Sequence, residues 1–316
     1  MARVLLIGEP IALLIALEMG PLKDVEHFIR KLAGAEVNVC FGLSRLEHKV
    51  TFITRLGKDP FGEYAFEMFE NEGIHTGLIT FDDEYLTGSI LKGKVLQGDP
   101  PIAFYCKGSA ASKITTDLIE SIDLSEIDFI HITGVFPAIS DTCFWATLRL
   151  MERAKEAKIP LSFDPNLRPT LWGNEEKMIK GINKLAALSD LVLPGIEEGF
   201  TLTGFHQPEK IADFYQALGV ESVIVKLGAD GAYLRDSENS QTITGFLVED
   251  VVDTVGAGDG FATGLVSGII EGLSLQESVM RGNAIGSIQI QHIGDNEGLP
   301  TREELFDYMK NQLKAL

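Results

Sequence analysis

Short, almost unbroken apolar runs alternate along this chain with longer stretches in which apolar residues recur every three or four positions. The runs are Val4–Ile7, Val50–Ile53, Phe129–Ile132, Leu161–Phe163, Leu191–Leu193 and Val223–Val225. Their lack of a polar face predicts parallel strands covered on both sides. The periodic stretches are Val37–Leu46, Pro60–Asn71, Asp141–Ala157, Glu175–Ala187, Pro208–Ala217 and Leu275–Ile290, which read as helices. Start signals sharpen three of them: Ser140 or Asp141 before the third, Asn174-Glu175-Glu176 before the fourth, and Pro208-Glu209 opening the fifth. Such alternation implies an open, doubly wound α/β sheet.

One region departs from the rhythm. Between Glu84 and Lys107 there is no helical period, only Thr87–Val95 and Ile102–Cys106, with Gly98-Asp99-Pro100-Pro101 as the turn between them. This predicts a hairpin outside the core sheet, joined by Ile11–Leu17 into a second, smaller one. A sheet projecting over strand ends can act as a lid that excludes water; a plain surface hairpin is the alternative. Met1–Leu17 carries Arg3 and apolar residues, but Gly8-Glu9-Pro10 breaks the run and no small-residue cleavage pattern follows. A first buried strand fits better than a signal peptide. No apolar run reaches the roughly 18 residues needed to cross a membrane.

Composition narrows the function class. At 316 residues, 45% hydrophobic and 23% charged, the chain has an ordinary globular balance and ample core. A formal charge of −19 without Lys/Arg clusters argues against nucleic acid as a partner. It also means that any site for anions must gather positive potential locally. Cys40, Cys106 and Cys143 are scattered, without a C-x-x-C pair, which suits a reducing cytosol and neither disulfides nor zinc.

The chemistry is concentrated in Asp253-Thr254-Val255-Gly256-Ala257-Gly258-Asp259. It follows the strand-like Thr244–Val248 and opens the apolar-periodic segment Phe261–Ile270. Small residues at 256 to 258 let consecutive N–H groups face one concavity at a helix N-terminus, where negative charge is favoured. A carboxylate stands next to them. Anion-holding amides beside a proton acceptor can move a phosphoryl group onto a hydroxyl. A plain glycine turn with an aspartate matching the helix dipole would leave the same letters. Phe261 stands where a dinucleotide fingerprint needs its third glycine, and no P-loop occurs in the chain.

Four segments in order then carry a resemblance. Gly34-Ala35-Glu36-Val37-Asn38-Val39 with Gly42-Leu43-Ser44-Arg45-Leu46, Gly57-Lys58-Asp59-Pro60-Phe61-Gly62, Lys226-Leu227-Gly228-Ala229-Asp230-Gly231-Ala232 and the stretch Asp253–Asp259 together resemble the ribokinase-like (PfkB) family of sugar kinases from end to end. The resemblance implies a cytoplasmic kinase with one three-layer α/β/α domain over 1–316. It also implies a small β-sheet lid from about residues 9–18, 30–36 and 84–108, which often takes part in dimerisation or a higher homo-oligomer. Within the family, Gly34–Asn38, Lys107–Ser112, Asp164–Arg168 with Leu171-Trp172, and Glu297-Gly298-Leu299-Pro300 are similar to 2-keto-3-deoxygluconate kinases. That likeness implies ATP and Mg²⁺ as cofactors and transfer to the terminal hydroxyl of a sugar acid. A fructokinase-like hexose kinase and a non-catalytic sugar- or nucleotide-responsive regulator are the alternatives.

By the same resemblance, Asp259 is the base and the amides of Gly256, Ala257 and Gly258 hold the transferring phosphoryl oxygens. Gly34, Asn38, Tyr105, Lys107 and Arg168 line the sugar pocket. Arg168, just past a strand end, can also grip a carboxylate with its planar guanidinium; a structural ion pair is the other reading. Lys226, Gly228, Gly231, Gly258 and Asn283 fall to the nucleotide. Glu198 is expected to orient Mg²⁺ through water and Asp253 to serve a monovalent cation such as K⁺, unless they are merely solvated or capping carboxylates. Three departures stand out: Gly195 where the family's Asn-x-x-Glu motif has asparagine, Cys106 where these kinases often carry a second arginine, and Glu9-Pro10-Ile11-Ala12 where ribose- and adenosine-directed members place an aspartate.

Overall fold

The computed structural model describes residues 2–95 and 100–315. Its strands are β1 (Arg3–Ile7), β2 (Ile11–Ala16), β3 (Phe28–Ala33), β4 (Lys49–Gly57), β5 (Ile79–Asp82), β6 (Ser89–Lys92) and β7 (Ile102–Tyr105). They continue with β8 (Phe129–Thr133), β9 (Leu161–Asp164), β10 (Leu191–Val192), β11 (Ser222–Lys226), β12 (Ala232–Arg235) and β13 (Ser240–Ile243). Nine form the main sheet in the order β13-β12-β11-β10-β9-β8-β1-β4-β5. The six apolar runs all lie in it and pair in parallel; β12 and β13 add an antiparallel edge. Successive β1 residues feed opposite layers, Val4 and Leu6 one core, Leu5 and Ile7 the other. This is the period of two expected for a strand covered on both faces. The chain leaves β1 for β4 on one side and returns to β8 on the other, so a topological switch point opens at the carboxyl ends of β1 and β8, where open α/β sheets bind ligands.

The periodic stretches become helices, and their caps explain the boundaries. Asp59 Oδ1 accepts from the Phe61 and Gly62 N–H groups, both at 2.9 Å, ahead of the helix Pro60–Asn71. Ser140 caps Asp141–Ala157, and Asn174 caps Glu175–Ala186. The first helix starts earlier than its apolar pattern suggests, at Ala35, because Gly34 turns the chain with φ 137°. A Cβ there would lie 2.7 Å from the Glu9 carbonyl oxygen, so only glycine fits.

A second sheet, ordered β3-β2-β6-β7, contains the hairpin and the Ile11 segment as expected. Its third contribution is Phe28–Ala33 rather than residues 30–36, since Ala35 and Glu36 already belong to the helix. Of the turn expected at Gly98-Asp99-Pro100-Pro101, Gly98 and Asp99 lie outside the described residues. Thr244–Val248 is not a strand. The ladder ends at Ile243, whose carbonyl oxygen packs 2.1 Å from where a Gly231 Cβ would stand, and the chain leaves the sheet there. Among the described residues, no helix is long and apolar enough to cross a membrane.

Candidate active site

Asp259 occupies the first turn of the helix Ala257–Ile270, whose N-cap Gly256 adopts φ 78°. The Asp295 carbonyl oxygen lies 2.1 Å from the position of a Gly256 Cβ, so this turn also demands glycine. The N–H groups of Gly256 and Gly258 have no acceptor among the described residues. That of Ala257 closes a long 3.4 Å turn onto Thr254. Two unpaired donors at a helix N-terminus form a site of positive potential.

The Asp259 carboxyl is buried and held from two sides. Asn38 Nδ2 donates to Oδ2 at 2.8 Å and Asn166 Nδ2 donates to Oδ1 at 3.1 Å. Burial pushes its pKa up to about 7; Asn38, Arg168 and Lys226 pull against that rise while Asp164 adds to it. A carboxyl near 7 exchanges protons at neutral pH, which suits a general base.

Lys226 ends β11 and Asp164 ends β9, and their side chains meet at 2.5 Å. Burial alone would lower the lysine pKa, but the Asp164 and Glu198 carboxylates outweigh it and hold the ammonium charged. A Cβ on Gly258 would lie 3.6 Å from that ammonium, so Lys226 stands beside the Gly258 backbone. Asp164 Oδ1 also accepts from the Asn166 N–H, which stabilises the φ of 37° at Asn166 and aims its amide at Asp259. Asp164 and Asn166 belong to the Asp164–Arg168 motif, but nothing in their spacing reveals these contacts.

Arg168 stands on the same loop, exposed, with Nη1 donating to the Leu167 carbonyl at 3.0 Å. Among the described residues no carboxylate comes within ion-pair distance of it, although its charge pulls against the burial that raises the pKa of Glu36, Asp259 and Asp295. Glu198 is pinned at both oxygens, by Leu167 N–H and Gly195 N–H, each at 2.7 Å. The Gly195 N–H is a donor that any residue but proline would offer here, so the glycine simply leaves no side chain beside Glu198. Asp253 Oδ1 accepts from Val255 N–H at 3.1 Å, and its other oxygen is 4.0 Å from Lys92.

Gly34 and Asn38 sit together at the start of their helix, Gly34 against the Glu9 carbonyl and Asn38 against Asp259. Tyr105, the last residue of β7, and Lys107, in the turn after it, are exposed, Tyr105 lining a 420 Å³ cleft with Asp59, Phe61 and Thr87. Cys106 between them is buried, its thiol directed at the Ser89 carbonyl at 3.6 Å and pushed up to about 12 by burial, so it brings no charge. Gly228 and Gly231 both have positive φ in the turn after β11. Asn283 spends both amide hydrogens on the Ile243 and Thr244 carbonyls, at 3.1 and 3.2 Å, leaving only its oxygen for a nucleotide.

A family model described as pfkB family carbohydrate kinase matches residues 1–302. A 2-dehydro-3-deoxygluconokinase of Bacillus subtilis (strain 168) is 43% identical over 306 residues, which are 96% of this chain and 94% of that protein. The crystal structure of a PfkB protein from Polaromonas sp. JS666 superposes with a TM-score of 0.89 at 44% identity, covering 97% of this chain and 99% of that one. A fructokinase double mutant of Vibrio cholerae O395, in a form with fructose, ADP and potassium ion bound, gives 0.86 at 25% identity and covers 98% of each chain. The chain belongs to the pfkB family of carbohydrate kinases and is a phosphotransferase with an alcohol group as acceptor. The binding-only regulator is thereby set aside.

Proposed function

We propose that this kinase transfers the terminal phosphoryl group of ATP to the terminal hydroxyl of a sugar acid, 2-keto-3-deoxygluconate, giving 2-keto-3-deoxy-6-phosphogluconate. The observation that carries the substrate class is Arg168: an exposed guanidinium with no carboxylate partner, on the loop whose Asn166 holds the base. A planar donor pair in that position suits the carboxylate of a sugar acid. Asp259 takes the hydroxyl proton as the bond to phosphorus forms. Gly256 and Gly258 N–H groups, with Lys226, stabilise the oxygens of the group in transit. Gly34 and Asn38 would meet the sugar hydroxyls, and Tyr105 and Lys107 would cover them from the small sheet, acting as a lid.

Among the described residues no three His, Cys, Asp or Glu side chains converge to hold a metal. Magnesium bound mainly by phosphate oxygens and water, with Glu198 ordering one such water, fits this arrangement, because two N–H groups fix that carboxylate while leaving outer lone pairs free. When bound, it would neutralise charge on the phosphates, with Glu198 as the residue that would order its water. Asp253, oriented by Val255, is the candidate near a potassium ion.

The uncharged Cys106 keeps a second acceptor in view, a neutral hexose such as fructose. Initial rates with ATP on the two sugars decide: a tenfold or greater preference for fructose overturns the sugar-acid reading. Arg168→Ala is expected to raise KM for the sugar acid by about 10- to 150-fold, the loss of one charge-assisted hydrogen bond, with kcat little changed. An unchanged KM would make this arginine structural. Ile29, Ile102 and Phe104 are exposed on one face of the small sheet, and we expect that face to be covered by a second copy of the chain. Light scattering that returns only the monomer mass would refute this.

A further inference from the structure

The Glu297-Gly298-Leu299-Pro300 motif belongs to a loop that no step above uses, and the loop is tied down on every side. Arg45 donates to the carbonyls of Asn296 at 2.8 Å and Leu299 at 3.1 Å. Gln289 donates to the Gly294 carbonyl at 2.7 Å, and Lys31 of β3 pairs with Glu297 at 2.8 Å. At its centre the buried Asn296 side chain donates twice, to the Leu32 carbonyl and to Asn38 Oδ1, both at 3.0 Å.

These bonds have a fixed polarity. A backbone carbonyl can only accept, so Asn296 must turn its amide nitrogen towards Leu32 and Asn38. Asn38 must then present its oxygen to Asn296, which leaves its own amide nitrogen for Asp259. Without Asn296, the Asn38 amide is free to flip and accept from a protonated Asp259, a bond that would stabilise the wrong form of a base. We propose that Asn296 is a positioning residue for Asp259, locking Asn38 as a hydrogen-bond donor and so keeping the carboxyl in its accepting state. The proposal rests on the reading of Asp259 as the base.

The charged groups facing Asp259 are Asp164 from β9, Arg168 from the loop after it and Lys226 from β11, and Asn296 substitutions leave all three in place. The test is the pH dependence of kcat/KM for whichever sugar the enzyme turns over. A donor bond to the ionised form lowers a carboxyl pKa, so its loss moves the acid limb to higher pH. Asn296→Ala and Asn296→Leu, the second preserving volume, should each move that limb up by about one pH unit, a tenfold drop in the ionised fraction. Asn38→Ala should move it by a similar amount, and the Asn38→Ala/Asn296→Ala double variant no further. Lys31→Ala, which frees the loop from β3 alone, should leave the limb in place. A lower kcat with an unmoved limb in both Asn296 variants, or additive shifts in the double variant, overturns the proposal. Failure of the base reading is seen separately, as Asp259→Asn retaining turnover in an otherwise unaltered chain.

Discussion

Asp259→Asn is expected to lower kcat by about 10²- to 10⁴-fold, the usual contribution of a positioned general base, while retaining ATP affinity. The carboxyl touches no nucleotide-facing residue directly; its partners are the amides of Asn38 and Asn166. An asparagine in its place keeps one acceptor oxygen where two were used, so one of those amides loses its partner. A stability loss of about 1–3 kcal/mol should accompany the kinetic one, and turnover must be compared below the melting transition. In the unmodified chain the base works only when ionised. With its pKa raised to about 7, kcat/KM should fall as the pH drops below that value and level off above it. Turnover within a few-fold of the parent would remove Asp259 from the mechanism.

Lys226→Met has the largest expected effect on the fold itself. Asp164 is almost wholly buried beside Lys226, with its pKa raised by burial to about 6, so at neutral pH it remains mostly ionised. Removing the ammonium leaves an uncompensated charge inside the protein, which costs about 3–5 kcal/mol. Because Asp164 also orients Asn166, activity should fall along with stability. The Asp164→Asn/Lys226→Met double variant removes both charges and should recover much of the stability in urea titrations, though not the activity. If Lys226→Met alone unfolds at the parental urea concentration, the pair is not a structural element of the site.

Much of this was legible beforehand, for identifiable reasons. Strands buried on both faces leave unbroken apolar runs, and helices with a side-chain cap or a proline at their first position announce their first turn, so Pro60–Asn71, Asp141–Ala157 and Pro208–Ala217 appear with the expected limits. Edge elements leave weaker traces. β12 and β13 lie at the antiparallel edge, β3 is half exposed, and the terminal helix Arg302–Ala315 carries many polar residues, so none has a clear period. The signature Asp253–Asp259 marked the centre of the site because close backbone approach requires small residues in a row. Asn166 and Asn296 escaped notice for the opposite reason. Each acts through one amide whose partner lies far away in the chain, and no local pattern encodes such a contact.

The small sheet shares no strand with the large one; it leaves β1 through Gly8-Glu9-Pro10 and rejoins the frame at Gly34. The phosphoryl-handling groups therefore sit on one scaffold while Tyr105 and Lys107 ride on an appendage. A graft of residues 84–108 from a relative would then exchange the contacts at positions 105 and 107 while the Arg168 loop and the helix that carries Asp259 stay in place, so that one part of the pocket can vary independently of the rest.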